Sequence, residues 1–159
     1  SELNREIKNL PVCEEHPAKE FLLEVTEQMG LNLDLRVKAD DSNVYVEISG
    51  EDSGTIIGKR GQTLDAIQYL TSLVVNKDKS NYIKVVVDAE DYRSRREQTL
   101  EKLANRLAGK VVRSKRMVKL EPMNPYERKV IHATLQGNSR VTTRSEGQDP
   151  YRRVIIELK

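Results

Sequence analysis

The sequence of 159 residues has one cysteine, no tryptophan, one phenylalanine and two histidines. A single cysteine excludes an intrachain disulfide, which is typical of proteins from a reducing cytosol. No segment approaches the ~18 consecutive apolar residues that a membrane-spanning helix requires. The first residues also lack the charged-then-apolar pattern of a signal peptide. These absences predict a cytoplasmic protein without an integral membrane segment.

Residues that support catalysis or bind metals are also scarce. Cys13 and His16 are close in sequence, but they lie in or beside a polar stretch, and the only other histidine is His132. These residues do not make a zinc ligand set. Three carboxylates stand where helix caps or surface charges are expected: Asp52, Asp65 and Glu127. We therefore predict no catalytic residues, no metal site and no cofactor, and hence a protein that is not an enzyme.

Charge is abundant but unevenly distributed. Charged residues make up 33% of the chain, and the formal net charge is only +2. Residues 1–90 carry 10 Lys/Arg and 17 Asp/Glu, a net charge of −7, whereas residues 91–159 carry 17 and 8, a net charge of +9. Such a split indicates a polyanion-binding part, with nucleic acid or an anionic membrane surface as the partner. The break near residue 90 also favours two small domains.

The first predicted domain covers residues 16–88, after a linker or N-terminal extension over residues 1–15. Apolar residues recur at helical spacing after Pro17, and two runs of alternating residues, 31–37 and 44–48, predict a β-hairpin. Two closely spaced helices follow, and residues 82–87 predict a central strand. The buried face of the second of these helices is expected to contain Leu64, Ile67, Leu70 or Thr71, and Val74. The predicted order is α-β-β-α-α-β.

The second predicted domain covers residues 89–159 in the order α-β-α-β-β. A long basic helix over 91–113 precedes a short strand over 117–120. Asn124 followed by Pro125 is typical of a helix start, and that helix is expected to end near Gln136. Two paired strands are predicted on either side of a turn over 146–150. The fold class is therefore α+β, with two small α/β sandwich domains.

A basic glycine loop lies between the two closely spaced helices of the first domain. Gly58 and Gly61 allow a sharp turn and a close backbone approach to a ligand, while Lys59 and Arg60 add two cations. The next helix begins there, and its free N–H groups favour an anion. The spacing from Gly54 does not match a nucleotide-hydrolysing P-loop, and the loop does not match a dinucleotide-binding fingerprint. This loop indicates binding to a phosphate backbone rather than an ordinary basic turn.

The segment from Ile56 to Leu64 resembles the signature of a KH domain of the bacterial type, type II. The resemblance implies a groove for about four nucleotides of single-stranded nucleic acid, with Gly58, Lys59, Arg60 and Gly61 as the clamp. It also implies an apolar floor for the bases, made by the flanking helices and a strand.

Arg128 and His132 lie four residues apart on the predicted 124–136 helix and therefore share a face. Taken alone, this pair is ordinary helix surface. Within α-β-α-β-β it resembles the R-three-H (RxxxH) domain, which implies that Arg128 and His132 contact single-stranded nucleic acid. Tyr126 and Tyr151 are near this predicted face, where they either stack on bases or belong to the core.

A type II KH domain followed directly by an R-three-H domain resembles the Jag family, also called KhpB, over residues 16–159. The resemblance implies a bacterial RNA-binding regulator of cell elongation, division and shape, with a small KH-domain protein as partner. Many members carry an additional N-terminal domain, for which this sequence has only a short segment. Functions that depend on that domain are therefore not assigned.

Three interpretations stay open from the sequence. The first is binding of single-stranded RNA, supported by basic residues at Arg93, Arg95, Arg113, Lys115 and Arg116. The second is a protein-interaction adaptor, which docks a KH partner, forms a homodimer or associates with the membrane insertase. The third is binding of single-stranded DNA. Membrane-surface binding by the long basic helix is less favoured, because its apolar face is narrow and a folded domain would bury it.

Overall fold

The computed structural model describes residues 7–159, which divide into two compact units at the step from Arg93 to Ser94. Each unit combines a three-stranded sheet with helices, so the predicted α+β class is confirmed. The predicted boundary after residue 88 lies a few residues before this division. The difference arises because Arg93, in the first turn of the long helix, bonds back to Asp65 and the Val87 carbonyl in the first unit.

The first unit contains a hairpin and a third strand that lies parallel to it. Strand β2 pairs antiparallel with β1 and parallel with β3, which gives the order β1-β2-β3. The expectation of a central strand over 82–87 was wrong, because β2 is central and β3 lies at an edge. The β-branched residues of β3 are buried because helix α3 packs on them. The elements are α1 (Pro17–Gln28), β1 (Asp34–Ala39), β2 (Asn43–Ser49), α2 (Ser53–Ile57), α3 (Gln62–Asn76) and β3 (Lys84–Ala89).

Helix α3 faces the core with the expected Leu64 and Ile67, with Thr71 rather than its alternative Leu70, and with Val75 in place of Val74. Thr71 is buried and its hydroxyl donates to the Ile67 carbonyl at 2.7 Å, so its polar group is satisfied within the helix. Leu70 and Val74 are exposed instead. The residues of α3 that are buried are Leu64, Ile67, Thr71 and Val75.

Part of the predicted N-terminal extension belongs to the first unit. The Cys13 N–H donates to the Val37 carbonyl at 2.8 Å, and the Ala39 N–H donates to the Pro11 carbonyl at 3.0 Å. This short segment therefore continues the sheet beside β1, and Ile7 is buried as well. Residues 1–6 of the predicted extension lie outside the described residues.

The second unit contains an antiparallel sheet in the order β4-β6-β5, with β5 at an edge. Its core combines Leu100 and Ala104 of the long helix with Ile131 and with Val154 and Ile156 of β6. The long helix ends where Lys115 adopts a left-handed φ of 60° and donates its N–H to the Val111 carbonyl at 2.8 Å. The elements are α4 (Tyr92–Ser114), β4 (Val118–Lys119), α5 (Pro125–Leu135), β5 (Val141–Glu146) and β6 (Arg153–Leu158).

Candidate nucleic-acid interface

The glycine loop connects α2 to α3 through one turn of 3-10 helix over Lys59–Gly61. Gly58 and Gly61 adopt φ values of 72° and 76°, in the left-handed region that favours glycine. The chain therefore makes a tight turn within four residues, and α3 begins at Gln62. The predicted position of the loop between two closely spaced helices is confirmed.

Both glycines are also sites of close packing. A Cβ at Gly58 would overlap the Thr63 side chain, and a Cβ at Gly61 would lie 2.5 Å from Cε1 of Tyr92. Real Cβ atoms are essentially never this close to another heavy atom. The loop is therefore packed closely against α3 at Thr63 and against the first turn of α4 at Tyr92.

The electrostatics of the loop favour an anion. Lys59 is exposed at the tip, whereas Arg60 is half-buried. The fifteen-residue helix α3 begins directly after the loop and directs the free N–H groups of its first turn to this end. Asp65, the acidic residue of that turn, accepts a hydrogen bond at 2.7 Å from Arg93 Nη1. This ion pair offsets the negative charge of Asp65, which would oppose a phosphate at this end of the helix.

In the second unit, Arg128 is buried, with 9% of its side chain exposed. Its Nη1 donates to the Met123 carbonyl at 2.7 Å and to Asp149 Oδ1 at 2.9 Å. Asp149 belongs to the turn between β5 and β6. Arg128 therefore joins the start of α5 to that turn.

His132 lies one helical turn further along α5 and bonds to strand β5. Its Nδ1 is 2.7 Å from the Thr143 hydroxyl oxygen, and its Nε2 is 2.8 Å from the Ser145 hydroxyl oxygen. Burial, together with the positive charges of Arg128 and Arg152, lowers the pKa of His132 below its usual value. A neutral imidazole suits this position, because one ring nitrogen donates and the other accepts.

Arg128 and His132, which the sequence predicts on one helix face, both lie where α5 meets strand β5 and the turn between β5 and β6. The sequence provides no signal for their partners Asp149, Thr143 and Ser145, which are 11 to 21 residues away. Tyr126 and Tyr151 are exposed and do not belong to the core.

The basic residues expected to support binding fall into two groups. Arg93 is half-buried, and its guanidinium bonds to Asp65, Gln68 and the Val87 carbonyl, so it contributes to packing. The others are exposed on α4 or just after its end: Arg95, Arg113, Lys115 and Arg116.

A depression of about 480 Å³ opens between α5 and β5, beside His132. Two lysines line it, Lys129 from α5 and Lys159 from the end of the chain. Neither lysine was predicted from the sequence, because 30 residues separate them in the chain and only the fold brings them to one surface. Lys129 follows Arg128 directly, and this adjacency was the one available signal.

Among residues 7–159, no group of three or more His, Cys, Asp and Glu side chains is arranged to hold a metal ion. Cys13 Sγ donates to the Glu15 carbonyl, and His16 Nδ1 accepts from the Ala18 N–H as the N-cap of α1. No helix within the described part of the chain is long and apolar enough to cross a membrane.

Comparison with protein families matches each unit to a known domain. Residues 19–87 match the KhpA/KhpB, KH domain, and residues 98–158 match the R-three-H domain. Fold and site thus define a protein with a KH domain followed by an R-three-H domain.

Curated relatives narrow this class to one family. RNA-binding protein KhpB of Clostridium symbiosum is 54% identical over 144 residues, which cover 89% of this chain and 65% of that protein. RNA-binding protein KhpB of Bacillus subtilis is 41% identical over 144 residues, covering 89% of this chain and 69% of that protein. The protein of that name from Lactiplantibacillus plantarum is 38% identical over 140 residues, covering 88% and 44%. The chain belongs to the KhpB family, also called the Jag family, and spans 44–69% of the length of these relatives.

Proposed function

We propose that the chain binds single-stranded RNA and that the loop from Gly58 to Gly61 holds its phosphate backbone. The geometry of this loop is the observation that supports the proposal: two left-handed glycines, an exposed lysine and a helix N-terminus directly behind it. Backbone N–H groups and Lys59 bind phosphates, and KH domains of this kind hold about four nucleotides. The relatives named RNA-binding protein KhpB favour RNA as the ligand.

In the second unit, we assign Arg128 and His132 to positioning the binding surface. Direct contact with RNA would require Arg128 to give up the Met123 carbonyl and Asp149, and His132 to give up two hydroxyls. The exposed cations Arg95, Arg113, Lys115 and Arg116 supply an attractive field for the RNA backbone.

The loop is tested by Lys59→Asp/Arg60→Asp, with fluorescence anisotropy of a labelled single-stranded RNA as the measurement. We expect the affinity to fall at least about tenfold at near-physiological salt, because two attractive charges become repulsive at the phosphate site. The matched control is Lys77→Asp/Lys79→Asp, which makes the same charge change at two exposed lysines after α3. Equal losses in the two double variants would refute a specific clamp.

In the cell, we propose a cytoplasmic regulator that acts in control of cell elongation and division, as the family resemblance implies. Crosslinking in living cells, followed by sequencing of the bound nucleic acid, distinguishes RNA from single-stranded DNA. Recovery of DNA alone would replace the RNA proposal with the DNA alternative.

A second candidate function is docking of a small KH-domain protein on α3. This helix exposes a continuous apolar face whose members recur at positions i, i+1, i+4 and i+5: Tyr69, Leu70, Leu73 and Val74. Tyr69 and Leu73 are 65% and 52% exposed. Contiguous exposed apolar residues mark interaction surfaces more often than scattered ones do.

The docking surface is tested by Leu73→Glu, with Ser80→Glu as the matched control, since Ser80 is an exposed residue of the loop after α3, outside this face. We expect Leu73→Glu to lose the KH-domain partner in a nuclease-treated pull-down while RNA binding stays within about twofold. Light scattering of the pure chain reports the homodimer alternative. Equal partner recovery by both variants would exclude this surface.

A further inference from the structure

The start of α4 is packed against the glycine loop and against the helix that follows the loop. The Tyr92 ring lies beside Gly61, and the guanidinium of the next residue, Arg93, bonds to Asp65 in the first turn of α3. We infer that Arg93 is a positioning residue of the clamp, which does not contact RNA but offsets the charge of Asp65 so that a phosphate can occupy the loop. This inference rests on the proposed RNA binding and names a residue outside the loop on which that binding depends.

Three acceptors hold the guanidinium of Arg93 in place. Its Nη1 donates to Asp65 Oδ1 at 2.7 Å, its Nη2 to Gln68 Oε1 at 3.1 Å, and its Nε to the Val87 carbonyl at 3.0 Å. The backbone N–H of Arg93 donates to Asp88 Oδ1 at 3.3 Å. Gln68 Oε1 also accepts from the Val87 N–H at 3.0 Å, so one amide oxygen joins β3 to the guanidinium. Arg93 would have to give up these bonds to reach a phosphate.

A strained turn between β3 and α4 sets this approach. Glu90 and Asp91 both adopt left-handed φ values, 52° and 53°, which are unfavourable for residues with a Cβ. Each is held by a side-chain contact: the Gly50 N–H donates to Glu90 Oε1 at 3.2 Å, and Lys8 Nζ donates to Asp91 Oδ1 at 3.0 Å. Strained residues persist where the surrounding structure determines their conformation, and they cluster at functional sites. The turn directs the first residues of α4 toward the loop.

Asp65 has opposite effects on the helix and on a ligand. A carboxylate in the first turn of α3 interacts favourably with the positive end of the helix. The same charge repels a phosphate at the loop, because Asp65 follows Gly61 by about 6 Å along the helix axis, within the ~8 Å Debye length at physiological salt. Arg93 Nη1, at 2.7 Å from the carboxylate, offsets this repulsion and leaves the N-terminus of α3 available to an anion.

The roles open to Arg93 differ in how its effect depends on Asp65. If Arg93 offsets the carboxylate, loss of the guanidinium weakens RNA binding, loss of the carboxylate strengthens it, and loss of both restores it. If Arg93 instead contacts a phosphate, loss of both groups is as harmful as loss of the guanidinium alone. If the ion pair only supports the fold, loss of the carboxylate cannot strengthen binding.

The test uses the full chain and fluorescence anisotropy of a labelled single-stranded RNA near physiological salt. We expect Arg93→Gln to lower the affinity about fivefold, because the Asp65 carboxylate then repels the phosphate. We expect Asp65→Asn to raise the affinity about twofold to threefold, because Arg93 then adds an uncompensated positive charge beside the loop. The double variant Asp65→Asn/Arg93→Gln should bind within about twofold of wild type. The matched control Lys77→Gln removes one cation from the other end of α3, ~22 Å along its axis, and should also bind within about twofold of wild type.

Thermal unfolding of the same variants separates binding from stability. Asp65→Asn should unfold at a midpoint no higher than that of wild type while it binds RNA more tightly. If Arg93→Gln does not fold, Asp65→Asn alone decides, since an unchanged or lower affinity in that variant would overturn the inference. If the double variant stays as weak as Arg93→Gln while Lys59→Asp/Arg60→Asp loses binding, this inference is wrong and the proposed function stands. If wild type binds no RNA, both fail.

Discussion

At the scale of single residues, the loop glycines carry two separate constraints. Gly30 and Gly61 have similar φ values of 72° and 76°, but a Cβ at Gly30 meets nothing within 4 Å, whereas one at Gly61 meets Tyr92. The left-handed conformation costs a residue with a Cβ ~1–2 kcal/mol. Comparison of these two positions separates the cost of conformation from the cost of packing.

We predict that Gly30→Ala lowers the free energy of unfolding by about 1 kcal/mol and that Gly61→Ala lowers it by more, because Tyr92 must also move. Urea denaturation followed by circular dichroism measures both values. In the double variant Gly61→Ala/Tyr92→Ala, the two losses of stability should be less than additive. Removing the Tyr92 ring also removes the overlap that the new Cβ at position 61 creates. Additive losses would show that Tyr92 does not constrain the loop.

Arg128 is a motif residue whose burial gives it a role in stability. We predict that Arg128→Gln lowers the free energy of unfolding by about 1–3 kcal/mol, since the Met123 carbonyl loses its donor. The matched control is Arg144→Gln, whose exposed guanidinium pairs with Glu157 and Glu146 and should contribute less than about 1 kcal/mol. Urea titrations of the two variants decide the matter. Equal stability would mean that Arg128 is available for a ligand at no cost to the fold.

At the scale of elements, the helices and strands were predictable because their patterns are local. The start of α5 follows from Asn124, whose side chain accepts a hydrogen bond from the Glu127 N–H. The Gly58–Gly61 loop follows from the spacing of its glycines.

Two features depend on tertiary contacts and could not be predicted from the sequence. The spacing of apolar residues placed Val74 on the buried face of α3, but the folded helix buries Val75 instead. Spacing alone placed Arg128 on a surface, but its burial depends on a turn 21 residues away.

The junction of α5 with β5 makes stability depend on pH. The pKa of His132 is lowered in the folded chain, mainly by burial, so the unfolded chain binds a proton more readily. The stabilising contribution of neutral His132 is therefore complete above the usual pKa of ~6.5 and is lost as the pH falls below it. His16, the N-cap of α1, shifts in the same direction, also mainly by burial.

We predict that the urea midpoint of wild type falls between pH 7.5 and pH 5.5 and that His132→Gln reduces this fall. His16→Asn keeps an N-capping side chain while removing the other shifted imidazole, so it reports how much of the dependence comes from α1. A pH dependence in His132→Gln as large as that of wild type would contradict the assignment to the α5–β5 junction.

At the scale of the whole molecule, the net charge of +2 conceals two opposed parts. Residues 1–90 carry a net charge of −7, so the loop and the N-terminus of α3 are a local positive region within an acidic part of the chain. Residues 91–159 carry +9, which favours a polyanion over a wider surface. Because one chain joins a local clamp to a broad basic surface, a strand that reaches both binds the second contact at high effective concentration.

This arrangement predicts a step in affinity with RNA length. An oligonucleotide of about four nucleotides fills only one unit, whereas a longer strand that reaches both gains avidity, which we expect to exceed about tenfold. Competition with an unlabelled length series against one labelled RNA measures the step. Lys59→Asp/Arg60→Asp and Arg113→Gln/Lys115→Gln/Arg116→Gln should each remove it while retaining weak binding of short strands by the other unit. The affinity could instead rise gradually with the number of positions on the RNA at which one unit can bind. If both variants showed that same gradual rise, the two units would bind RNA independently.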